Sequence, residues 1–232
     1  MAKAASAGIP AIIVGGREAR HLRVPKQSLP FGNSTVLGKT IHAYVEAGVS
    51  EVIVVLGYKF EQVQMALGHV PSNVRFIRNP LYEEGMGTFL RAGVRELPPD
   101  AKAFMIGLGD QPLLSADLLR EFVEAFLKGG KKVLVPVLQT SLGLPIVCDA
   151  SIAHEIQSLP PNGELWDVIK RFGQDLLDYP TGYTAVIRSI EDLDDYHDML
   201  RLAGLEIPVT PPQGMGEDLP PVTPSGGAAQ SA

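Results

Sequence analysis

The sequence predicts an α/β fold in three layers, with helices on both faces of a mostly parallel sheet. Two observations carry that expectation. Four short apolar runs, at residues 9–14, 51–56, 74–77 and 103–108, are too short for most helices, and the first two are rich in β-branched side chains. Between them, apolar residues recur at helical spacing, and strands alternating with helices in this way build a parallel sheet with crossover helices. A third observation concerns place. In such sheets the ligand lies beyond the carboxyl ends of the strands, and Gly15-Gly16, Asn79 and Asp110 each stand at such an end.

Taken in order, the first run leads at once into Gly15 and Gly16, where a chain leaving a strand can turn without a Cβ in the way. Arg17, Arg20, Arg23 and Lys26 follow, and Pro25 stiffens the loop just before Lys26. A glycine turn lets backbone N–H groups approach a phosphate, and cations add charge-assisted hydrogen bonds to it. The plainer reading is a strand-to-helix loop with solvated cations. Val36, Leu37, Ile41 and Val45 predict a helix closed by Gly48. Residues 51–56 then form a strand ending at Gly57, and Phe60, Val63 and Leu67 mark a helix stopped by Gly68. The strand at 74–77 ends at Asn79-Pro80, and a helix is expected over 88–97, with Gly87 or Thr88 at its start. The strand at 103–108 runs into Gly109-Asp110, followed by a helix over 115–127 with Ser115 as N-cap and Gly129-Gly130 as its stop.

The second half is less regular. Strands are expected at 133–138, at 145–147 and late in the chain at 183–187, with helices over 150–158, 164–172 and 192–203. From residue 207 on, Pro, Gly, Ser and Thr dominate and periodicity is lost. The expected organisation is therefore one domain over 1–206 and a disordered tail over 207–232.

The composition bounds the function. A chain of 232 residues, 45% apolar and 20% charged, can bury a sizeable core. A net charge of −6 gives no bulk electrostatic support to a nucleic-acid or membrane partner, so a local cationic loop points to a small anionic ligand. Cys148 is the only cysteine, which excludes an internal disulfide and fits a cytoplasmic setting. No run approaches the roughly 18 apolar residues of a membrane span.

The stretch VGGREARHLRVPKQSLPFG resembles the signature loop of the molybdenum cofactor nucleotidylyltransferases, which transfer a nucleotide to molybdopterin. Further stretches resemble that family in the same order: EVIVVLGY, NPLYEEGMGTFLRAG, GDQPLL from Gly109, GLP at Gly143 to Pro145, and SIEDLDDY from Ser189. The resemblance covers about residues 9–204, with GDQP and the Pro-Lys loop as its specific parts. It implies a Rossmann-like nucleotidyltransferase fold, an NTP donor (CTP or GTP), a molybdopterin-type or other phosphorylated acceptor, and Mg²⁺. GDQP leans toward the cytidylyl branch and Gly15-Gly16 toward the guanylyl one. By the same resemblance, Gly15, Gly16 and Arg20 hold the β,γ-phosphates, Lys26 neutralises the α-phosphate, and Asp110 and Glu191 bind the metal. Asn79, Gly85 and Thr88 line the base and ribose.

The signature loop departs from the family pattern. Aligned without a gap, the family's Gly becomes Arg17 and its Arg becomes His21. With one extra residue before Pro25, Gly16 and Arg20 take those places, which keeps a side chain out of the turn that phosphate must approach. The departure leaves two rivals: an enzyme of the same fold acting on another acceptor such as a sugar phosphate, and a non-catalytic nucleotide-binding accessory protein. Glu191 also reads as a first-turn helix acid, and Asp192, Asp194 and Asp195 as a solvated helix start. The five histidines show no metal-ligand spacing. Cys148, Leu165 and Trp166 read as packing residues, and Tyr58 and Tyr82 near strand ends as surface or packing residues, with contact to a base as the alternative.

Overall fold

The computed structural model describes residues 8–16, 18, 22 and 24–208. Its first strand, β1 (Ala11–Val14), is buried along its whole length, as expected of a strand covered on both faces. Successive side chains divide between those faces: Ile13 joins one hydrophobic cluster, while Ile12 and Val14 join the other. A two-stranded ribbon, β2 (Pro30–Phe31) and β3 (Ser34–Thr35), leads into α1 (Val36–Ala47). Thr35 caps that helix by accepting from the Gly38 N–H, and Gly48 ends it in a left-handed conformation.

The chain then alternates through β4 (Val52–Leu56), α2 (Phe60–Leu67), β5 (Val74–Arg78), α3 (Met86–Arg95), β6 (Ala103–Leu108) and α4 (Ala116–Gly129). After α4 come β7 (Val133–Leu138), the short β8 (Ser141–Leu142) and β9 (Ile146–Asp149). Next are α5 (Ile152–Gln157), α6 (Leu165–Ile169), β10 (Leu176–Pro180) and α7 (Leu193–Leu202). The main sheet has the order β10-β7-β9-β6-β1-β4-β5, with β8 paired to β7. Its pairings are parallel except those made by β8 and β9.

The winding decides where a ligand can sit. From β1 the chain moves outward to β4 and β5 by way of α1 and α2, whose Leu37 and Val63 pack on one face. It returns through α3, whose Phe89 packs on the opposite face, and lands at β6 on the other side of β1. The order therefore reverses between β1 and β6, which opens a crevice at their carboxyl ends. A third hydrophobic cluster, including Leu22, Phe31, Tyr196 and Leu200, joins α7 to the signature stretch. Tyr196 fixes that contact by donating to the Pro30 carbonyl at 2.5 Å.

Several elements differ from the sequence expectation. The segment expected as a strand at 183–187 is a 3-10 helix, Thr184–Ile187. Its Ala185 and Val186 carbonyls are taken by the Gln111 side chain and by the Leu144 N–H rather than by a neighbouring strand. The edge strand is β10 instead, paired in parallel with β7. The helix expected over 164–172 stops at Ile169 and continues as a 3-10 stretch, Lys170–Asp175, kinked at Gly173. Helix α3 starts two residues before Thr88, because Gly85 serves as its N-cap. Residues 209–232, most of the expected tail, lie outside those described.

Cys148 on β9 is fully buried, and that burial raises its thiol pKa. A buried neutral thiol is a poor nucleophile. The native protein is therefore expected to be inert to an aromatic disulfide reagent that titrates one thiol per chain after denaturation, as followed by absorbance. Reaction of the native protein at the denatured rate would contradict that burial.

Candidate active site

The crevice is built from loops that leave β1, β5 and β6. After β1, the Gly15 N–H donates to the Val55 carbonyl of β4 at 3.0 Å, and the Gly16 carbonyl accepts from the Tyr58 N–H at 2.7 Å. The expectation that both glycine N–H groups face phosphate is thus corrected. The Gly15 donor belongs to the sheet, and Gly16 is left to supply the turn. Gly16 has φ +89, and a Cβ there would lie 2.7 Å from the Gly57 nitrogen. Only glycine fits this approach.

Pro25 leads into a short 3-10 turn, Lys26–Ser28, which brings Lys26 over the crevice. The Lys26 ammonium lies 2.6 Å from Asp110 Oδ2, donates to the Ile190 carbonyl at 2.6 Å and reaches Glu191 Oε1 at 3.2 Å. Asp110 follows β6, and its side chain is only 4% exposed, against 72% for Glu191. The Ile190 N–H also donates to Asp110 Oδ2, at 3.3 Å. Burial on its own would lower the Lys26 pKa. The charge and hydrogen bond of Asp110, followed by those of Glu191, outweigh it, and the net shift is upward. Lys26 is therefore a cation at neutral pH. The exposed Glu191 contact adds little to stability.

Glu191 is not a first-turn helix acid. It precedes Asp192, which caps α7 by accepting from the Asp195 N–H at 2.9 Å, and its own N–H donates to Asp195 Oδ2. The structure thus brings Lys26, Asp110 and Glu191, drawn from widely separated positions, into direct contact. Arg20, together with Arg17, His21 and Arg23, lies outside the described residues.

Asn79, Gly85 and Thr88 form a second group, after β5. Asn79 Nδ2 donates to Thr88 Oγ1 at 2.8 Å, and Asn79 Oδ1 accepts from the Leu81 N–H at 3.1 Å. The Thr88 hydroxyl in turn lies within hydrogen-bonding distance of the Leu81 and Gly85 carbonyls. Both side chains are buried and hold the loop in shape. Gly85, at φ +131, packs against the backbone of Pro161 and Asn162. The strand order β6-β1-β4-β5 sets this group and the Lys26–Asp110–Glu191 group on opposite flanks of the Gly15-Gly16 turn.

Two residues missed by the sequence reading support the site. The buried Gln111 side chain spans from the Leu108 N–H to the carbonyls of Leu144, Ala185 and Val186. It ties the Asp110 loop to the segment that leads to Glu191. Gln27 is 1% exposed and packs beneath Gly15. Their sequence signal was membership of the GDQP and Pro-Lys stretches, next to Asp110 and Lys26.

A switch-point crevice between β1 and β6, with a buried lysine–carboxylate pair and a glycine turn, marks the place where an α/β sheet of this kind takes its ligand. The chain belongs to the family of MobA-like NTP transferase domains, whose family model matches residues 11–176. It is accordingly a nucleotidyltransferase, with a nucleoside triphosphate and a phosphorylated acceptor as its substrate classes. No curated protein sequence matches it.

Solved structures share the fold. A protein of Mycobacterium tuberculosis H37Rv is 21% identical, with TM-score 0.73 over 83% of this chain and 98% of its own. A second structure of that protein, in complex with manganese, gives 22% identity and TM-score 0.69 over 84% and 99%. A nucleotidyl transferase from Methanothermobacter is 23% identical, with TM-score 0.69 over 82% and 95%. The 4-diphosphocytidyl-2C-methyl-D-erythritol synthase of Anaerococcus prevotii is 15% identical, with TM-score 0.68 over 88% and 99%. Among the described residues no helix is long and apolar enough to cross a membrane, and no group of three or more His, Cys, Asp or Glu is placed to hold a metal ion.

Proposed function

We propose that the chain is a Mg²⁺-dependent nucleotidyltransferase that transfers CMP or GMP from its triphosphate to the phosphate of a molybdopterin-type acceptor in the cytoplasm. The observation that carries this reading is the contact of Lys26 with Asp110 and Glu191 at the switch-point crevice. In the reaction an acceptor phosphate oxygen bonds to the α-phosphorus and the α–β anhydride bond breaks. Pyrophosphate leaves with the bonding electrons. Several negative charges must converge, so catalysis rests on electrostatic stabilisation and in-line positioning.

The donor set fits the metal. One buried and one exposed carboxylate, completed by phosphate oxygens, suit a hard cation that keeps few protein ligands, and the mycobacterial structural neighbour takes manganese. When bound, Mg²⁺ supplies charge neutralisation at the phosphates. Gly16 would present its N–H to the β,γ-phosphates beside Arg20, and Lys26 would move its ammonium to the α-phosphate. Asn79 and Thr88 would act through the loop they hold, which with Gly85 lines the base and ribose.

A panel of four NTPs tests the reading by thermal shift with Mg²⁺, followed by pyrophosphate release with molybdopterin and with sugar phosphates. Binding at a hundredfold excess over Kd stabilises by roughly 2.7 kcal/mol. Turnover with sugar phosphates alone would move the acceptor to another class. Nucleotide binding without pyrophosphate release would favour the accessory-protein reading.

The register of the signature loop is tested separately. Arg20→Lys keeps the charge but loses the planar fork. Turnover is expected to fall roughly 10- to 100-fold, the worth of about one hydrogen bond to a charged group, while His21→Ala is mild. The reverse pattern would put His21 in the arginine's place.

A further inference from the structure

An ammonium group has three N–H donors, and three acceptors meet those of Lys26: Asp110 Oδ2, Glu191 Oε1 and the Ile190 carbonyl. The two carboxylates among them are the pair assigned to the metal in the function proposed above, on which this inference rests. Asp110 is too buried to carry its charge without a partner cheaply. Lys26 provides the partner. It also helps close the Glu191 segment onto β6, because Ile190 is held through its carbonyl by Lys26 and through its N–H by Asp110.

We propose that Lys26 is the resident counter-cation of the metal site: Asp110 and Glu191 bind either the Lys26 ammonium or a divalent cation, and the two exclude each other. The competition is for the same oxygen lone pairs, and it is reinforced by repulsion between like charges. A triphosphate resolves it, because its oxygens offer the ammonium new acceptors as the carboxylates are released. A divalent cation alone therefore binds weakly, and metal and nucleotide enter as one complex. Lys26 has two positions in this scheme, one guarding the empty carboxylates and one on the transferring phosphate. A purely structural ion pair makes a different demand. It needs no second, exposed carboxylate, and its loss would not improve metal binding.

Mn²⁺ titration without nucleotide, followed by the electron paramagnetic resonance signal of the free ion, separates the two. Lys26→Met is expected to bind Mn²⁺ at least about tenfold more tightly than the unmutated protein, a difference of about 1.4 kcal/mol. Lys26→Arg keeps the positive charge and is expected to bind no more tightly. Adding Asp110→Asn to Lys26→Met is expected to abolish the gain. Lys26→Gln replaces the methionine variant if circular dichroism shows that the latter fails to fold. Equal or weaker Mn²⁺ binding by the folded neutral variant would overturn the proposal. This readout is independent of turnover. Tighter Mn²⁺ binding in a protein that never releases pyrophosphate would sustain the exchange site and refute the catalytic reading. Turnover without the gain would do the opposite.

Discussion

Replacing Asp110 by Asn is expected to lower pyrophosphate release at least about a thousandfold, the several kcal/mol of transition-state charge stabilisation that a metal contributes. The substitution preserves shape, and the Asn side-chain oxygen can still accept from the Ile190 N–H that Asp110 now satisfies. What disappears is the buried negative charge 2.6 Å from Lys26. The change also has a cost in stability that the residue's position after a strand does not disclose. Removing one partner of a buried ion pair typically costs about 3–5 kcal/mol. Lys26 keeps the Ile190 carbonyl and Glu191, which reduces the expected loss to about 1–3 kcal/mol. At about 2–4 °C per kcal/mol for a domain of this size, Tm should fall by roughly 2–12 °C. Calorimetry and a pyrophosphate assay below the transition check both effects. Near-normal turnover would remove Asp110 from the chemistry, and an unchanged Tm would mean the pair contributes nothing to folding.

Most of the first half of the fold was legible because each element carried its own local signal. The runs that became β1, β4, β5 and β6 are short and followed by a turn residue, and α1 and α4 are bracketed by caps. The second half lacked such signals. β10 reads Leu-Leu-Asp-Tyr-Pro, and its strand state depends on pairing with β7. Tyr183 to Ile187 is apolar enough for a strand, but the sheet edge is already occupied, and its carbonyls go to Gln111 and Leu144. Both outcomes are tertiary, set by pairing and packing at the sheet edge rather than by propensity.

The candidate site divides in the same way. Lys26 and Asp110 were legible from their loops, and Glu191 from the family resemblance. That all three would meet in one ion-paired cluster was not, since contact across such sequence separations is fixed only by the packing of α7. For Asn79 and Thr88, sequence suggested contact with a ligand. Their buried side chains instead spend their hydrogen bonds on the loop itself, a role that neighbouring residues in sequence cannot reveal.

Gly16→Ala is expected to produce a large stability loss for a single added methyl. The residue sits at φ +89, where an L side chain costs about 1–3 kcal/mol on backbone grounds. A second cost comes from contact, because the new Cβ would lie 2.7 Å from the Gly57 nitrogen. Gly57 has little room to retreat. The position its own Cβ would occupy is 2.2 Å from Tyr82 Cβ, so Gly57 is held between the Gly16 backbone and the Tyr82 side chain. The expected total is about 3 kcal/mol or more, or a fall in Tm of roughly 6–12 °C. Gly130→Ala is the control. That glycine has φ +60 with nothing within 4 Å of its Cβ position, so it should show the backbone cost alone, about 1 kcal/mol. Nucleotide affinity, measured at a temperature where both variants are folded, should fall for Gly16→Ala and stay unchanged for Gly130→Ala. Equal Tm shifts in the two variants would show that β4 gives way freely. Normal nucleotide affinity in folded Gly16→Ala would mean that phosphate does not approach this turn.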